Sequence, residues 1–296
     1  MTLDLIGQLF TIIAPVLICV AVGYAWARLG RPFDPGFATS LVSSIGAPCL
    51  IFHALTRAEI SRGSLGTLAA AGFCCYAGMA VLGLMILRLA RLPAHSYLPA
   101  LMFPNGGNVG LPLCLLAFGG QGLALGIAWF AIGALGQFTV GIGIAAGSLS
   151  LRSLARQPLV YTLLIALAFI LAGAKPPEFI AKTTEILGGM LIPLMLLSLG
   201  ASLATLTVSR PGRAFALSLV RLLGGFAVAL IVASAFDLSG AARGVLLIQS
   251  SMPVAIFNYL FALRYEREPA DVAGMIVITT VLSFLTLPAL LLYVLP

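Results

Sequence analysis

Charge is scarce in this sequence. Of 296 residues, 16 are Lys or Arg and 9 are Asp or Glu, 8% in all, where a soluble domain carries about 25%. So few charges cannot coat a water-exposed surface of this size. With 61% hydrophobic residues and a mean hydropathy of +1.13, the chain is suited to a bilayer. The same composition excludes a disordered chain. Cysteine is sparse too: Cys19, Cys49, Cys74, Cys75 and Cys114 all fall in apolar runs, where they act as small apolar side chains. Neither a disulfide framework nor a metal site is expected. The net charge of +7 comes with no basic face or aromatic stacking platform, which argues against a nucleic-acid partner. Carboxylates are missing from the depths of the apolar runs: Asp4 and Asp237 stand at helix ends and the rest are expected in loops. A carboxylate proton relay is therefore unsupported. A buried Asp pair, a Ser/His pair and a zinc-ligand cluster are likewise absent, so neither an enzyme nor a cofactor is expected. Gly141-Ile142-Gly143 begins a dinucleotide-like pattern, but position 146 is Ala and no strand precedes it.

What the chain does have is long apolar runs. A helix needs about 20 mainly apolar residues to cross the hydrocarbon core. Ten runs are read as spans: 5–29, 37–56, 64–87, 96–118, 122–149, 159–174, 179–203, 214–236, 241–264 and 270–295. The first is too long for a cleavable signal and is expected to be retained. Odd-numbered loops hold Arg28, Arg31, Arg88, Arg91, Arg152, Arg156, Arg210, Arg213, Arg264 and Arg267; even-numbered loops hold Arg57, Arg62, Lys175, Lys182 and Arg243. This bias places the odd loops in the cytoplasm and both termini outside.

Landmarks recur at offsets of about 145 to 150 residues. Pro48 matches Pro193, Pro104 matches Pro253, and Asn108 matches Asn258. The expected organisation is a first five-helix repeat over 1–149, a cytoplasmic linker over 150–158 and a second repeat over 159–296. Five is odd, so the second copy enters the membrane with opposite polarity, as in many transporters.

The fourth run contains Pro104-Asn105-Gly106-Gly107-Asn108-Val109-Gly110-Leu111-Pro112 at its middle. Proline removes a donor and glycine weakens a helix, so a continuous span through this stretch is not expected. The ninth run repeats the theme with Gln249-Ser250-Ser251-Met252-Pro253 and Asn258. Freed backbone groups survive in a membrane only where protein or a watery cavity surrounds them. The second halves, expected to start near Pro112 and Pro253, bring two positive helix N-termini to mid-membrane from opposite sides. That geometry suits an anion. Asn105, Asn108, Gly110, Pro112, Gln249, Ser250, Ser251, Pro253 and Asn258 form the expected substrate site; the bland alternative is a pair of proline kinks capped by asparagines. Pro48, Pro104 and Pro193 are expected breaks or hinges.

The segment 105–113 (NGGNVGLPL), with 192–203 (IPLMLLSLGASL) and 252–265 (MPVAIFNYLFALRY), resembles the auxin efflux carrier family. That family includes bacterial carriers of malonate and malate and the plant PIN-type auxin exporters. The resemblance implies an all-α fold of ten transmembrane helices in two inverted five-helix repeats. It also implies that the broken fourth and ninth helices cross at mid-membrane, and that the chain forms a homodimer in a bacterial inner membrane. The long cytoplasmic loop of many plant members is absent.

The expected function is secondary transport of small organic anions, mono- or dicarboxylates of auxin-like or malonate-like kind, by alternating access around the crossed broken helices, a bundle formed by each repeat rocking against a more static set, with membrane lipid as a further partner. A passive anion channel and a carrier of a neutral or lipid-like solute are the alternatives. Arg221 is the one basic residue well inside a run. Its leading reading is snorkelling or helix packing, with substrate attraction second. His53 reads as a satisfied interfacial histidine, with a proton-responsive role as the alternative, and His95 as a solvated loop residue. Gly143-Ile144-Ala145-Ala146-Gly147 permits close helix packing, internally or at a dimer face.

Overall fold

The computed structural model describes residues 2–57, 62–147 and 158–295. These are helical almost throughout, with no strand longer than one isolated bridge. Helix α1 covers Thr2–Arg28, α2 Pro35–Leu41, α3 Ala47–Arg57, α4 Arg62–Leu89, α5 Ala94–Met102, α6 Leu111–Gly136 and α7 Ile142–Ala146. After the undescribed segment come α8 Pro158–Ala172, α9 Glu178–Gly189, α10 Leu191–Thr205, α11 Pro211–Ala235, α12 Gly240–Ser250, α13 Ile256–Arg264 and α14 Pro269–Val294. The wider π-type turns Val42–Gly46, Gly106–Gly110 and Gln137–Gly141 join consecutive pieces. Residues 150–157 of the expected linker, with Arg152 and Arg156, lie outside the described residues, as does the end of the fifth expected run.

Among the described residues, six helical stretches are long and apolar enough to cross a membrane: Leu9–Arg28, Gly63–Leu89, Gly106–Ala146, Glu178–Thr205, Pro211–Ala235 and Pro269–Val294. The sequence suggests ten runs, and the difference has three physical sources. The second and ninth runs are in pieces too short to qualify. The sixth is the 15-residue α8. The second half of the fourth run and the fifth are joined at Gly119, whose φ of +62° only glycine adopts readily. Beyond Gly119 the chain returns beside itself: Gly126 lies against Leu111 and Cys114, and Trp129 against Gly106.

The helices pack in two sets. The first joins α1 to α10, and α3 to α8 and α9; the second joins α4 to α5, α6 and α11, α12 to α6 and α11, and α14 to α11 and α13. Each set draws helices from both halves of the chain. Small residues permit the closest approaches. A Cβ on Gly23 would strike the carbonyl of Leu197, and one on Gly200 the carbonyl of Val20. The two proline-bent helices also meet, with Gly46 against the side chain of Leu191 and Gly188 against the backbone of Leu50. Pro48 sits two residues after the π-type turn, and Pro193 three residues after Met190, which separates α9 from α10.

Large apolar side chains cover the outside: Phe10, Phe73, Leu223, Ile231 and Leu285 are each more than three-fifths exposed. In water such a surface would drive aggregation; in lipid it is the solvated face.

Candidate functional site

The two breaks are one structure. Residues 103–105 and 253–255 run extended past each other, with Pro104 bridged antiparallel to Val254. Asn105 donates its backbone N–H to Pro253 O at 2.6 Å, and Ala255 donates to Phe103 O at 3.3 Å. The N–H of Val254 donates to Thr279 Oγ1 at 3.1 Å. These three bonds replace part of the helical bonding that the breaks forgo, as an apolar surrounding demands.

Side chains complete the repair. Asn258 is buried; its Nδ2 donates to Phe103 O at 3.0 Å and its Oδ1 accepts from Gln137 Nε2 at 3.1 Å. Arg221 is 1% exposed. Its Nη1 donates to Leu101 O at 2.9 Å, its Nε to Met252 O at 3.3 Å and its Nη2 to Ser250 O. Arg221 therefore does not snorkel: all three contacts turn inward, onto carbonyls at the C-terminal ends of α5 and α12. Trp129 and Tyr76, ring centroids 4.7 Å apart, pack behind Gly106 and Phe103.

The second halves start at different points from those suggested by Pro112 and Pro253. The first begins with the turn Gly106–Gly110, capped by Asn105 Oδ1, which accepts from Asn108 N at 3.2 Å. The other begins at Ile256. A Cβ on Gly110 would meet Gln249 Oε1, so the buried Gln249 side chain would have to shift.

A cavity of about 390 Å³ adjoins both starts. Asn108 lines it from the first, and Ile256 and Phe257 from the second. Met195, Ser198 and Ser202 of α10 form another wall, and Ser40, Thr205 and Leu260 are exposed towards its rim. The volume falls in the range of about 300–1,000 Å³ usual for small-molecule sites. No lining residue carries a formal charge. Six buried polar atoms lack a hydrogen-bond partner among the described residues: Asn105 Nδ2, Trp129 Nε1, Gln249 Oε1, Ser250 Oγ and Ser251 Oγ about the breaks, and Ser198 Oγ in the cavity wall. Such orphans call for a ligand or water.

The expected site residues thus separate. Asn108 lines the cavity, while Asn105 caps the turn beside it. Asn258, Gln249, Ser250 and Pro253 are built into the repair of the breaks; Gln249 faces Gly126 O and the Cys114 thiol. Pro112 is buried in the first turn of α6, and Ser251 has a buried, unpartnered hydroxyl. His53 is half-buried with Nδ1 3.3 Å from Ala181 O, and does not line the cavity. Sequence reasoning missed Gln137, Ser198 and Ser202. The signal for the serines was their spacing of one helical turn on the strip also carrying Met195 and Thr205.

The carboxylates also need a correction. Glu178 and Glu185 lie in α9, and Asp271 is 2% exposed in the first turn of α14. Asp271 accepts from Tyr97 Oη at 2.6 Å, from Ser209 Oγ at 3.1 Å, and from Arg210 and Arg213 at 3.2 Å each.

The family of membrane transport proteins matches residues 144–291, half of the chain. The chain belongs to this family. The auxin efflux carrier resemblance of the three quoted segments points to the same group. The chain is 29% identical over 292 residues to an uncharacterized transporter of Methanocaldococcus jannaschii, covering 92% of this chain and 94% of that protein. It is 26% identical over 288 residues to an uncharacterized transporter of Methanothermobacter thermautotrophicus, with the same coverages. This membrane transport protein is an integral membrane protein, and a transporter rather than an enzyme.

Proposed function

We propose that the transporter is a secondary carrier of small organic anions, working by alternating access. The observation that carries this reading is that a single cavity touches the starts of both second half-helices. Each start contributes a partial positive charge and backbone donors. Asn108 and Ser198 add side-chain polarity, and no carboxylate in the lining repels an anion. Ser40, Ser202, Thr205 and Tyr259 add hydroxyls, and Val42, Met195, Leu206, Ile256, Phe257 and Leu260 give the lining its apolar half. A monocarboxylate with an apolar body, auxin-like in character, suits this lining better than a compact malonate-like dicarboxylate. The apolar lining equally favours a neutral or lipid-like solute, which is the second reading.

In this account the helix pieces make ten crossings in two inverted five-helix repeats. The fourth crosses the ninth where Pro104 meets Val254, and the termini lie outside an inner membrane. The rim residues Ser40, Thr205 and Leu260 lie near the Arg-rich odd loops, so this state opens to the cytoplasm. The set built on α1 and α10 serves as the frame, and a second copy of the chain would pair there. The other set carries the breaks past it, with Pro48 and Pro193 as the bends. Gradients or membrane potential drive the movement.

Exchange in proteoliposomes tests the reading. Uptake of a labelled monocarboxylate should accelerate when unlabelled compound is loaded inside, as for a carrier. Uptake indifferent to internal solute, accompanied by large anion currents, would indicate a channel. Transport confined to neutral compounds would favour the second reading.

A further inference from the structure

The negative pole of the two breaks is occupied by the protein itself. Half-helix C-termini and unwound carbonyls are where membrane carriers commonly bind a cation. Here Leu101 O, at the end of α5, and Ser250 O and Met252 O, at and just past the end of α12, converge on one guanidinium. Arg221 reaches them from α11, fully enclosed, and Gly225 on the next turn leaves room for the Ser250 carbonyl. The neighbours facing Arg221 are Cys75 and Tyr76 of α4 and Ser250 of α12. None is a carboxylate, and no ion pair involves Arg221 among the described residues.

An unpaired buried charge is costly unless something compensates it. The compensation here is the carbonyl ends of two half-helices, each carrying about half a negative charge. We propose that Arg221 is a tethered cation seated where a coupling cation would otherwise bind, so that the crossing of the breaks is held without Na⁺ or another soluble cation. This goes beyond the anion reading and does not depend on it, because the seat lies at the opposite, negative pole.

The test is the thermal stability of purified protein in Na⁺, K⁺, guanidinium and N-methylglucamine at equal ionic strength, without substrate. Wild type should be indifferent to the cation. Arg221→Ser should be less stable in N-methylglucamine and regain at least about 3 °C, saturably, with Na⁺ or millimolar guanidinium. Arg221→Lys, which keeps a charge, should remain indifferent. Specific stabilisation of wild type by Na⁺ would overturn the proposal. So would an Arg221→Ser protein as stable as wild type, or loss of fold in both variants that no cation restores. None of these readouts involves transport, so failure here leaves the anion reading intact, and the reverse holds.

Discussion

The backbone N–H of Asn105 donates to the carbonyl of Pro253 at 2.6 Å, tying the break in one helix to the break in another. The bond explains how two interrupted helices persist in a region without water. The N–H groups of Asn105 and Ala255 bond to carbonyls of the opposite break, and that of Val254 to the Thr279 hydroxyl beside it. The crossing is thus a folded element with its own hydrogen bonds.

Asn108 and Asn258, matched in sequence, should therefore fail differently. Asn258→Ala leaves the Gln137 amide without its partner and removes one of the two donors to Phe103 O, at a cost of about 1–3 kcal/mol. Thermal unfolding should show that loss, and transport should fall with it. Asn108→Ala should unfold within about 0.5 kcal/mol of wild type yet lose substrate affinity. Equal stability loss in both variants would refute the distinction.

Gly110 has no room for a methyl group unless the buried Gln249 side chain shifts, because Gln249 Oε1 occupies it. Gly110→Ala should destabilise by about 1–3 kcal/mol through overpacking. Gly66→Ala, on α4 with open space around it, should be neutral or stabilising by up to about 1 kcal/mol. Unfolding of the two variants side by side checks the contrast.

Asp271 gathers Tyr97, Ser209, Arg210 and Arg213 at the start of α14. Asp271→Asn removes the charged acceptor of Tyr97, Ser209 and two half-exposed arginines and should cost about 1–3 kcal/mol. Arg210 is half-exposed, and Arg210→Ala should cost less than Asp271→Asn. Denaturant titration in detergent measures both, and a reversed order would show that the cluster is not centred on Asp271.

Ser202 lines the cavity on the side of the Arg-rich loops. With Cys19, Cys49, Cys74, Cys75 and Cys114 replaced, Ser202→Cys should react with a membrane-impermeant thiol reagent from the cytoplasmic side. Saturating substrate should slow the reaction. Labelling only from outside would reverse the orientation argued from the arginines.

The breaks were legible because their residues contradict their surroundings: two prolines, three glycines and two asparagines inside an apolar run have few structural explanations. The all-helical membrane class followed from hydropathy alone. The destination of Arg221 was not legible. Its depth along α11 suits snorkelling as well as inward pairing, and only the position of two other helices decides between them. Gln137 was hidden for the same reason, as a lone amide whose partner, Asn258, is far away in sequence. Ser198 and Ser202 resemble ordinary hydroxyls on a span until the wall they share with Asn108 is seen. The second halves began earlier or later than the prolines suggested, because Asn105 and not Pro112 caps the first, and extended residues follow Pro253 before α13.

The central claim is that the cavity between the half-helix starts binds an organic anion, and ligand-induced thermal stabilisation tests it most directly. Purified transporter is heated with a panel of mono- and dicarboxylates and with their neutral amide or ester analogues. The account predicts that at least one carboxylate stabilises by about 2.7 kcal/mol at one hundred times its dissociation constant. Its neutral analogue should not, and Asn108→Ala should abolish the effect. Stabilisation by neutral compounds alone, or a carboxylate effect untouched by Asn108→Ala, would contradict it.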